Sequence, residues 1–576
     1  MASSARRAIT TVVPRSLTWN ARGMKRLLFV FAVVSGFLLM TAKPALATME
    51  GHEVSVVNPF ANCVGVGADG TGLNYPNTEP EPWVAHNPAN PDNYVSGFQQ
   101  DRWNDGGAKG LVAGWSFDDG HTWGNTALPF SKCADPYYGG TALPYDRASD
   151  AWNDIGPDGR TYAVSISFDA NDNNNAVGAA TSVDGGRTWQ NQKPIIADLA
   201  SDPRQPFNDK ESVTADPKIA GTAYAVWDRL VLVACGPAAM TIHNTPNADD
   251  RKWRGASQLA APGSKVAAGD PALLCFEGPA TFSKTTDGGV TWSPPRTIVE
   301  NAPDEQTIAN QIVVDHKTGK LYDFYVYIDS QGNATVEDIF SDDGGLTWSP
   351  RQTVNKLLSV GIHDPQTGAP ARTGDIIPTP AIDPTSGQLY VIWQDGRYNN
   401  FGEDDTVIST SLTGITGSWT NPVKVDLPED RAGFTGAIKV NDLGQVAVDY
   451  YSLRHPDLGP DVWPVERYIR MTLGPALIAS GSGGPTATFD FTEPTHVAGP
   501  FNMMAAPFVD TRGFFTGDYE SMAIDRDGKL FHTFFTSTNC DDPNCTAPGN
   551  PVGAPMESKA PPDPMDVYTN QYYKAG

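Results

Sequence analysis

Histidine and clustered metal ligands are scarce in this chain. Its 576 residues include nine His, and no two form a His-x-x-x-His or similar pair. No Cys-x-x-Cys occurs either. Zinc sites draw on such ligands at short spacing, so the sequence argues against a zinc centre and implies no cofactor. Basic residues are also few: 41 Lys and Arg face 66 Asp and Glu, a formal charge of −25. Nucleic acids and anionic membranes select basic surfaces, so neither is an expected partner, and the acidic excess reads as solubility outside the cell. The apolar run from Leu27 to Met40 holds about 14 residues, short of the roughly 20 that a spanning helix needs. No linker or shift in composition divides the rest, so residues 48–576 are expected to form one domain and to act as a monomer.

That apolar run follows Lys25-Arg26 and precedes Ala45-Leu46-Ala47, a small-x-small cleavage site. Residues 1–47 therefore read as a secretory signal peptide, with Met24 an alternative start, and the mature protein as secreted or extracytoplasmic. The leader holds seven basic residues (Arg6, Arg7, Arg15, Arg22, Lys25, Arg26 and Lys43), so its removal lowers the 41 basic residues to 34 against 66 acidic, a charge of −32. All six cysteines lie beyond it: Cys63, Cys133, Cys235, Cys275, Cys540 and Cys545. An even number in an exported chain implies disulfides. Chain proximity favours Cys540–Cys545 and Cys235–Cys275, which leaves Cys63–Cys133.

Against these absences stands one abundant pattern, Ser/Thr-x-Asp-x-Gly-x-Thr-Trp, present four times: Ser116–Trp123, Ser182–Trp189, Thr285–Trp292 and Ser341–Trp348. The Asp carboxylate can accept hydrogen bonds from the turn's own backbone. The Gly supplies a positive φ, and the Trp offers a large ring for burial between units. Upstream of the boxes a second element recurs, a strand, a polar turn and a strand opening on Tyr or a similar residue. It occurs at Asn90–Val95, Asp158–Ala163, Ala220–Ala225, Thr318–Tyr322, Ser386–Tyr390 and Asp527–Phe531, with a weaker copy at Asp442–Ala447. Strand, turn, strand, loop, strand, octapeptide, strand is a four-stranded blade, and such blades repeat radially in an all-β propeller. Seven hairpins favour seven blades. Ser409 to Trp419 reads as a decayed octapeptide, and the strand-like His52–Val57 as the segment that completes the last blade.

The octapeptides resemble the Asp-box, or bacterial neuraminidase repeat, of sialidases and related β-propellers. That resemblance implies six blades, and it implies glycoside hydrolysis on the face opposite the boxes. The loops after second strands carry Arg102, Arg229, Arg397 and Arg454, whose guanidinium groups suit bidentate capture of a carboxylate. The alternative for each is a structural pair with a nearby Asp. By the resemblance Arg102 binds the carboxylate of an acidic sugar and Asp105 is the general acid/base. Tyr519 is the nucleophile, with Glu520 or Glu211 as its partner. The family's Arg-Ile-Pro motif is missing: no Arg lies between Thr48 and Asp101, and Glu79-Pro80-Glu81-Pro82-Trp83-Val84 stands there instead. The oxygen-rich run Asp169–Asn175 has the ligand chemistry of a structural calcium loop without its spacing and reads first as a solvated turn. Trp83, Trp103, Trp227, Trp393 and Trp463 are core residues or stacking surfaces for sugar rings. The expected function is a sialidase-like hydrolase of terminal acidic sugars on glycans; the alternative is a non-catalytic propeller that binds glycan or protein.

Overall fold

β-Branched and aromatic runs such as Leu389–Trp393 fit a pleated surface, and Asp-Gly turns reverse the chain between them. In the computed structural model this alternation gives a chain that is almost all strand. The structure describes residues 51–234, 274–411, 418–454, 463–481, 484–509, 513–525, 527–538 and 565–572. The leader with its cleavage site, and Cys235, Cys540 and Cys545, lie outside the described residues. No helix among the described residues is long and apolar enough to cross a membrane.

Strands close in sequence pair antiparallel in sets of four. In unit 1, Trp83–His86 pairs with Tyr94–Arg102, then Ala108–Ser116, then Gly124–Ala127. Units 2 to 6 open with Arg147–Ile155, Phe207–Ala215, Glu305–Val314, Thr379–Ile382 and Gly433–Val440. Unit 7 runs Ser521–Ile524, Phe531–Thr538, Met565–Tyr572 and takes its fourth strand from the other end of the chain. There His52 and Glu53 pair with Thr569 and Tyr568. The Val54 amide donates to the Val567 carbonyl at 2.8 Å and the Ser55 hydroxyl to Asp566 at 3.1 Å. The first strands of all seven units line one central cavity of about 640 Å³, with Trp83, Trp152, Ser212, Gln311, Thr379, Ala437 and Ser521 each representing its unit. Apolar side chains are buried between neighbours. Phe324 and Val336 of unit 4 pack with Val391 and Trp393 of unit 5, and Val84 and Phe98 of unit 1 with Phe534 and Val567 of unit 7.

The four octapeptides fold alike, because each Asp ties down its own turn. Asp184 accepts from the Ser182 hydroxyl at 2.8 Å, the Thr188 amide at 2.9 Å and the Thr188 hydroxyl at 2.6 Å. Asp118, Asp287 and Asp343 accept the same three bonds within their own turns. The tryptophans reach back to the preceding unit: Trp123 meets Phe534 and Trp348 meets Phe282, both edge-on at 5.6 Å. Trp419 packs the same way, 5.6 Å from Phe324 of unit 4; residues 412–417 of that segment lie outside the described ones. These carboxylates therefore serve turns, at the end of the units where first and second strands also turn, as the Asp119 amide bonded to the Asp92 carbonyl shows.

The opposite end is shaped by a repeated irregularity. The first strands of units 2, 3, 4 and 6 each carry a β-bulge, with register shifts between Ser149 and Trp152, Asp209 and Ser212, Ile308 and Gln311, and Phe434 and Ala437. Each bulge contains a non-glycine residue at positive φ: Asp150 at 56°, Lys210 at 49°, Ala309 at 62° and Thr435 at 43°. Glu81, just before the first strand of unit 1, stands at 63°. Bulges re-aim side chains beside functional sites, and left-handed non-glycine residues persist only where the surroundings enforce them.

Cys63 and Cys133 form a disulfide across 70 residues. Cys275 is also disulfide-bonded, its partner lying outside the described residues. In Asp169–Asn175, Asp169 is bonded to Asn174 and lies 3.5 Å from Lys132, and Asp172 accepts from the Asn174 amide.

Candidate functional site

At the bulged end, charges from four units meet. Lys210 Nζ lies 2.7 Å from Asp518, 3.3 Å from Asp150 and 3.9 Å from Glu81. Arg372 grips Asp518 with two bonds, Nε to Oδ1 at 2.8 Å and Nη2 to Oδ2. A crossing between distant segments places that pair: Ala371 and Arg372 run parallel to Phe514 and Phe515. The Asp518 amide donates to Glu81 Oε1 at 3.0 Å. Arg102 and Arg372 share the Phe515 ring, their guanidinium carbons 5.0 and 4.9 Å from its centroid.

Arg102 differs from its two neighbours. It donates to Gln99 Oε1 at 2.7 Å and more distantly to the Ser149 hydroxyl at 3.4 Å. Its Nε has no hydrogen-bond partner although the side chain is buried, and no carboxylate among the described residues lies within ion-pair distance of it. Burial lowers its pKa, with the Arg372 charge adding to the effect and Glu81 opposing it.

Burial also governs the carboxyl groups. It pushes Glu81 up to about 7 despite the counter-pull of Lys210, and Asp209 up to about 6 with Asp150 adding to it. Asp518 goes the other way: although burial opposes ionisation, Arg372 and Lys210 together hold it well below the usual carboxylate range. Glu211 is raised well above its ordinary value by burial, with the Asp150 charge adding. Neither of its carboxyl oxygens has a hydrogen-bond partner. A buried carboxyl with no partner is costly and marks a candidate functional group.

Glu211 shares a small cavity of about 10 Å³ with Tyr519, Lys210 and Asp150, room for roughly one water. Trp152 and Tyr519 line it, and Trp83 packs on both. Trp83 and Trp152 stack at 3.4 Å, and Tyr519 lies 5.2 Å from Trp152 and 6.0 Å from Trp83. Trp152 lines this cavity and the central one alike. Asp150 and Lys210 also wall a neighbouring cleft of about 180 Å³, which Arg102, Asp105, Asp209 and Arg372 line as well.

The structure thus brings Arg102 and Asp105 to one cleft, and Tyr519 and Glu211 to the cavity adjoining it. Asp105 is ion-paired with Arg147 at 2.8 Å. Its pKa is raised by burial and by its bond to Asp69, with Arg147 working against both. Glu520, the other expected partner of Tyr519, is engaged elsewhere: it accepts from the Tyr451 hydroxyl at 2.7 Å and the Thr536 amide at 3.2 Å. Arg229, Arg397 and Arg454 are each paired with a carboxylate, Asp198 at 2.6 Å, Asp395 at 2.7 Å and Asp430 at 2.7 Å, and none lines this cleft. Sequence reasoning missed Glu81, Asp150, Lys210, Arg372 and Asp518. The available signal was charge inside first strands, as in Asp209-Lys210-Glu211. No group of three or more His, Cys, Asp or Glu placed to hold a metal occurs among the described residues.

No protein-family model matches the chain, and no curated protein matches it. Among solved structures it is similar to a Hadza microbial sialidase, Hz136, at 15% identity and a TM-score of 0.39, over 77% of this chain and 74% of that one. It is similar to the intramolecular trans-sialidase from Ruminococcus gnavus at 12% identity and a TM-score of 0.39, over 74% and 95%. It is also similar to the GH93 α-L-arabinofuranosidase of Fusarium graminearum at 12% identity and a TM-score of 0.38, over 66% and 89%. The solved structures this chain is similar to therefore include sialidases and an arabinofuranosidase, each at low identity.

Proposed function

We propose that this chain is an exported glycoside hydrolase on a seven-bladed, Asp-box β-propeller, and that it cleaves a terminal acidic sugar from glycans at the Arg102–Asp105 cleft. Seven antiparallel sets of four strands, each lending its first strand to one central cavity, support seven blades over the six that the resemblance implies. The three bonds accepted by each octapeptide Asp support the Asp-box reading. The observation that carries the function is that Glu211 and Tyr519 line one cavity, an unpartnered buried carboxyl and a phenol whose hydroxyl donates to the Ala151 carbonyl at 3.4 Å, next to a cleft that holds an unpaired guanidinium and a carboxyl of raised pKa.

In the reaction this supports, Arg102 binds the sugar carboxylate and Asp105 protonates the leaving oxygen. Glu211, ionised, takes the Tyr519 proton as the phenolic oxygen attacks the anomeric carbon. Water then displaces the tyrosine oxygen and gives its proton to Asp105, while Glu211 returns its proton to the departing phenolate. A base with a raised pKa binds the phenol proton more strongly than an ordinary carboxylate would. One observation favours the non-catalytic reading: Tyr519 and Glu211 are 4% and 1% exposed, so a sugar reaches them only if the cavity widens. Purified mature protein offered a panel of aryl sialosides and uronides separates the two. The hydrolase reading expects turnover that Tyr519→Phe and Glu211→Gln each lower by about 10²- to 10⁴-fold, the usual worth of such groups. Binding of glycan without turnover of any substrate would establish the binding module instead.

A further inference from the structure

Glu81 does not line this cleft but is buried next to it, against Lys210, which does. It stands in the stretch that lacks arginine, it is 1% exposed, and its backbone holds a left-handed φ of 63° immediately before Pro82. The strain aims an acid at the cations. Glu81 Oε1 accepts from the Asp518 amide and lies 3.9 Å from Lys210, and Oε2 accepts from Gln99 Nε2. The same Gln99 amide accepts Arg102 Nη1 through its oxygen. One neutral side chain therefore connects the Glu81 carboxylate to the one guanidinium of the cleft that has no carboxylate partner.

Resting on the reading of the cleft as an acidic-sugar site, we propose that Glu81 is its specificity-determining residue, an internal anion that excludes acidic sugars while it is ionised and admits them once it is protonated. The charge balance leads there. Lys210 and Arg372 are matched by Asp518 and Asp150, so Arg102 is the cation left for a ligand, and Glu81, itself 3.9 Å from Lys210, reaches it through Gln99. A second carboxylate arriving at Arg102 meets like charge in a buried setting, where repulsion is poorly screened. Protonation of Glu81 removes that charge and leaves its bond from the Asp518 amide possible. The groups facing Glu81 are Lys210, Asp150, Asp518, Arg102 and Arg372, with Asp209 and Glu211 beyond them on the first strand of unit 3. Of these neighbours the cations keep their charge through neutral pH. Glu81, raised to about 7, crosses from neutral to charged there; Asp209, at about 6, and Glu211, raised well above its ordinary value by burial, are the groups whose titration needs separating from it. A glycan carboxylate remains ionised throughout, since its pKa lies near that of an α-carboxyl group, about 3.5.

The test is binding rather than turnover, by calorimetry, with a sialoside or uronide and its neutral analogue, from about pH 5.5 to about pH 8. The expected result is that the acidic ligand binds at least about tenfold more tightly at the lower pH (~1.4 kcal/mol), while the neutral analogue changes less than about twofold. Glu81→Gln should bind the acidic ligand at the higher pH as the unaltered protein does at the lower. Affinities for both ligands that move together, or an acidic-ligand affinity indifferent to pH, overturn the proposal using the unaltered protein alone, whether or not the variant folds. A pH dependence that survives Glu81→Gln overturns it, in favour of Asp209 or Glu211 according to whether it vanishes in Asp209→Asn or in Glu211→Gln. Binding selectivity of the expected kind without hydrolysis supports the role of Glu81 and defeats only the hydrolase reading; no binding of either ligand defeats both.

Discussion

Replacing Lys210 by methionine tests the charge cluster most directly. The substitution keeps a long apolar stem and deletes one cation from within 4 Å of Asp518, Asp150 and Glu81. Arg372 still holds Asp518, so the loss falls on Asp150 and Glu81. Asp150 Oδ2 has no hydrogen-bond partner and relies on the lysine 3.3 Å away. Removing one partner of a buried ion pair costs about 3–5 kcal/mol. The cost should depend on pH in a definite direction. Glu81 has a folded pKa of about 7, above its unfolded value near 4.5, so the folded state holds that proton more tightly and stability is lost as pH rises through this window. Lys210 is the main influence lowering the folded value, so without it the window extends upward. The deficit of Lys210→Met relative to the unaltered protein should therefore widen above pH 7, by up to about 1.4 kcal/mol per pH unit for one proton. Urea unfolding followed by tryptophan fluorescence, with Trp83 and Trp152 close by, reads this at about pH 5.5 and about pH 8.5. A deficit under about 1 kcal/mol, or one that narrows as pH rises, would show that Asp150 and Glu81 do not depend on the Lys210 charge.

Arg102→Ala should abolish glycan binding by calorimetry, while Arg229→Ala, Arg397→Ala and Arg454→Ala should leave it within about twofold, since each of those guanidinium groups is already spent on an Asp; equal losses in all four would refute the assignment. Trp419→Ala should destabilise by about 3–5 kcal/mol, as for other buried tryptophans, measured as a fall in urea midpoint, because its ring fills the seam against Phe324. Breaking Cys63–Cys133 by a double serine substitution frees a 70-residue loop and should cost about 4 kcal/mol by loop entropy; an unchanged unfolding midpoint would count against that. Glu520, pushed up to about 8 by burial with Arg467 countering, loses stability for the fold as pH rises from about 4.5 through 8. Glu520→Gln should accordingly gain on the unaltered protein between pH 6 and pH 9 in the same urea assay, and a parallel pH profile would refute it.

What was legible in the sequence was local. Each octapeptide closes through bonds between residues two and four apart, so its pattern survives in the text of the chain, and Trp419 packs as the octapeptide tryptophans do. The all-β character follows for the same reason. The site was harder because it is assembled by irregularity. Asp150, Lys210 and Glu81 point at one another through left-handed residues that are not glycine, for which composition gives no cue. Arg372 joins Asp518 across 146 residues by a parallel crossing between loops. The arginines misled for a related reason: Asp395 sits two residues before Arg397 and could be suspected, but Asp198 and Asp430 lie 31 and 24 residues from Arg229 and Arg454. Glu520 and Tyr519 are neighbours in sequence and face different partners, since successive side chains leave an extended chain on opposite sides.

The two-residue strand His52–Glu53 has a consequence for the order of events in folding. Its partners, Tyr568 and Thr569, stand far downstream, and the bonds that extend this seam, from the Ser55 hydroxyl to Asp566 and from the Val567 amide back to Ser55, join positions 511 and 512 apart. Contacts of such sequence separation form late, because the loop they close must be ordered first. Units 1 to 6 can each gather their strands from nearby chain, whereas unit 7 must wait, its open edge exposed to pairing with a foreign strand until then. The interval between completing unit 6 and zipping this seam is the period in which the chain is most exposed to aggregation, and an extended peptide copying residues 52–57 should trap it there.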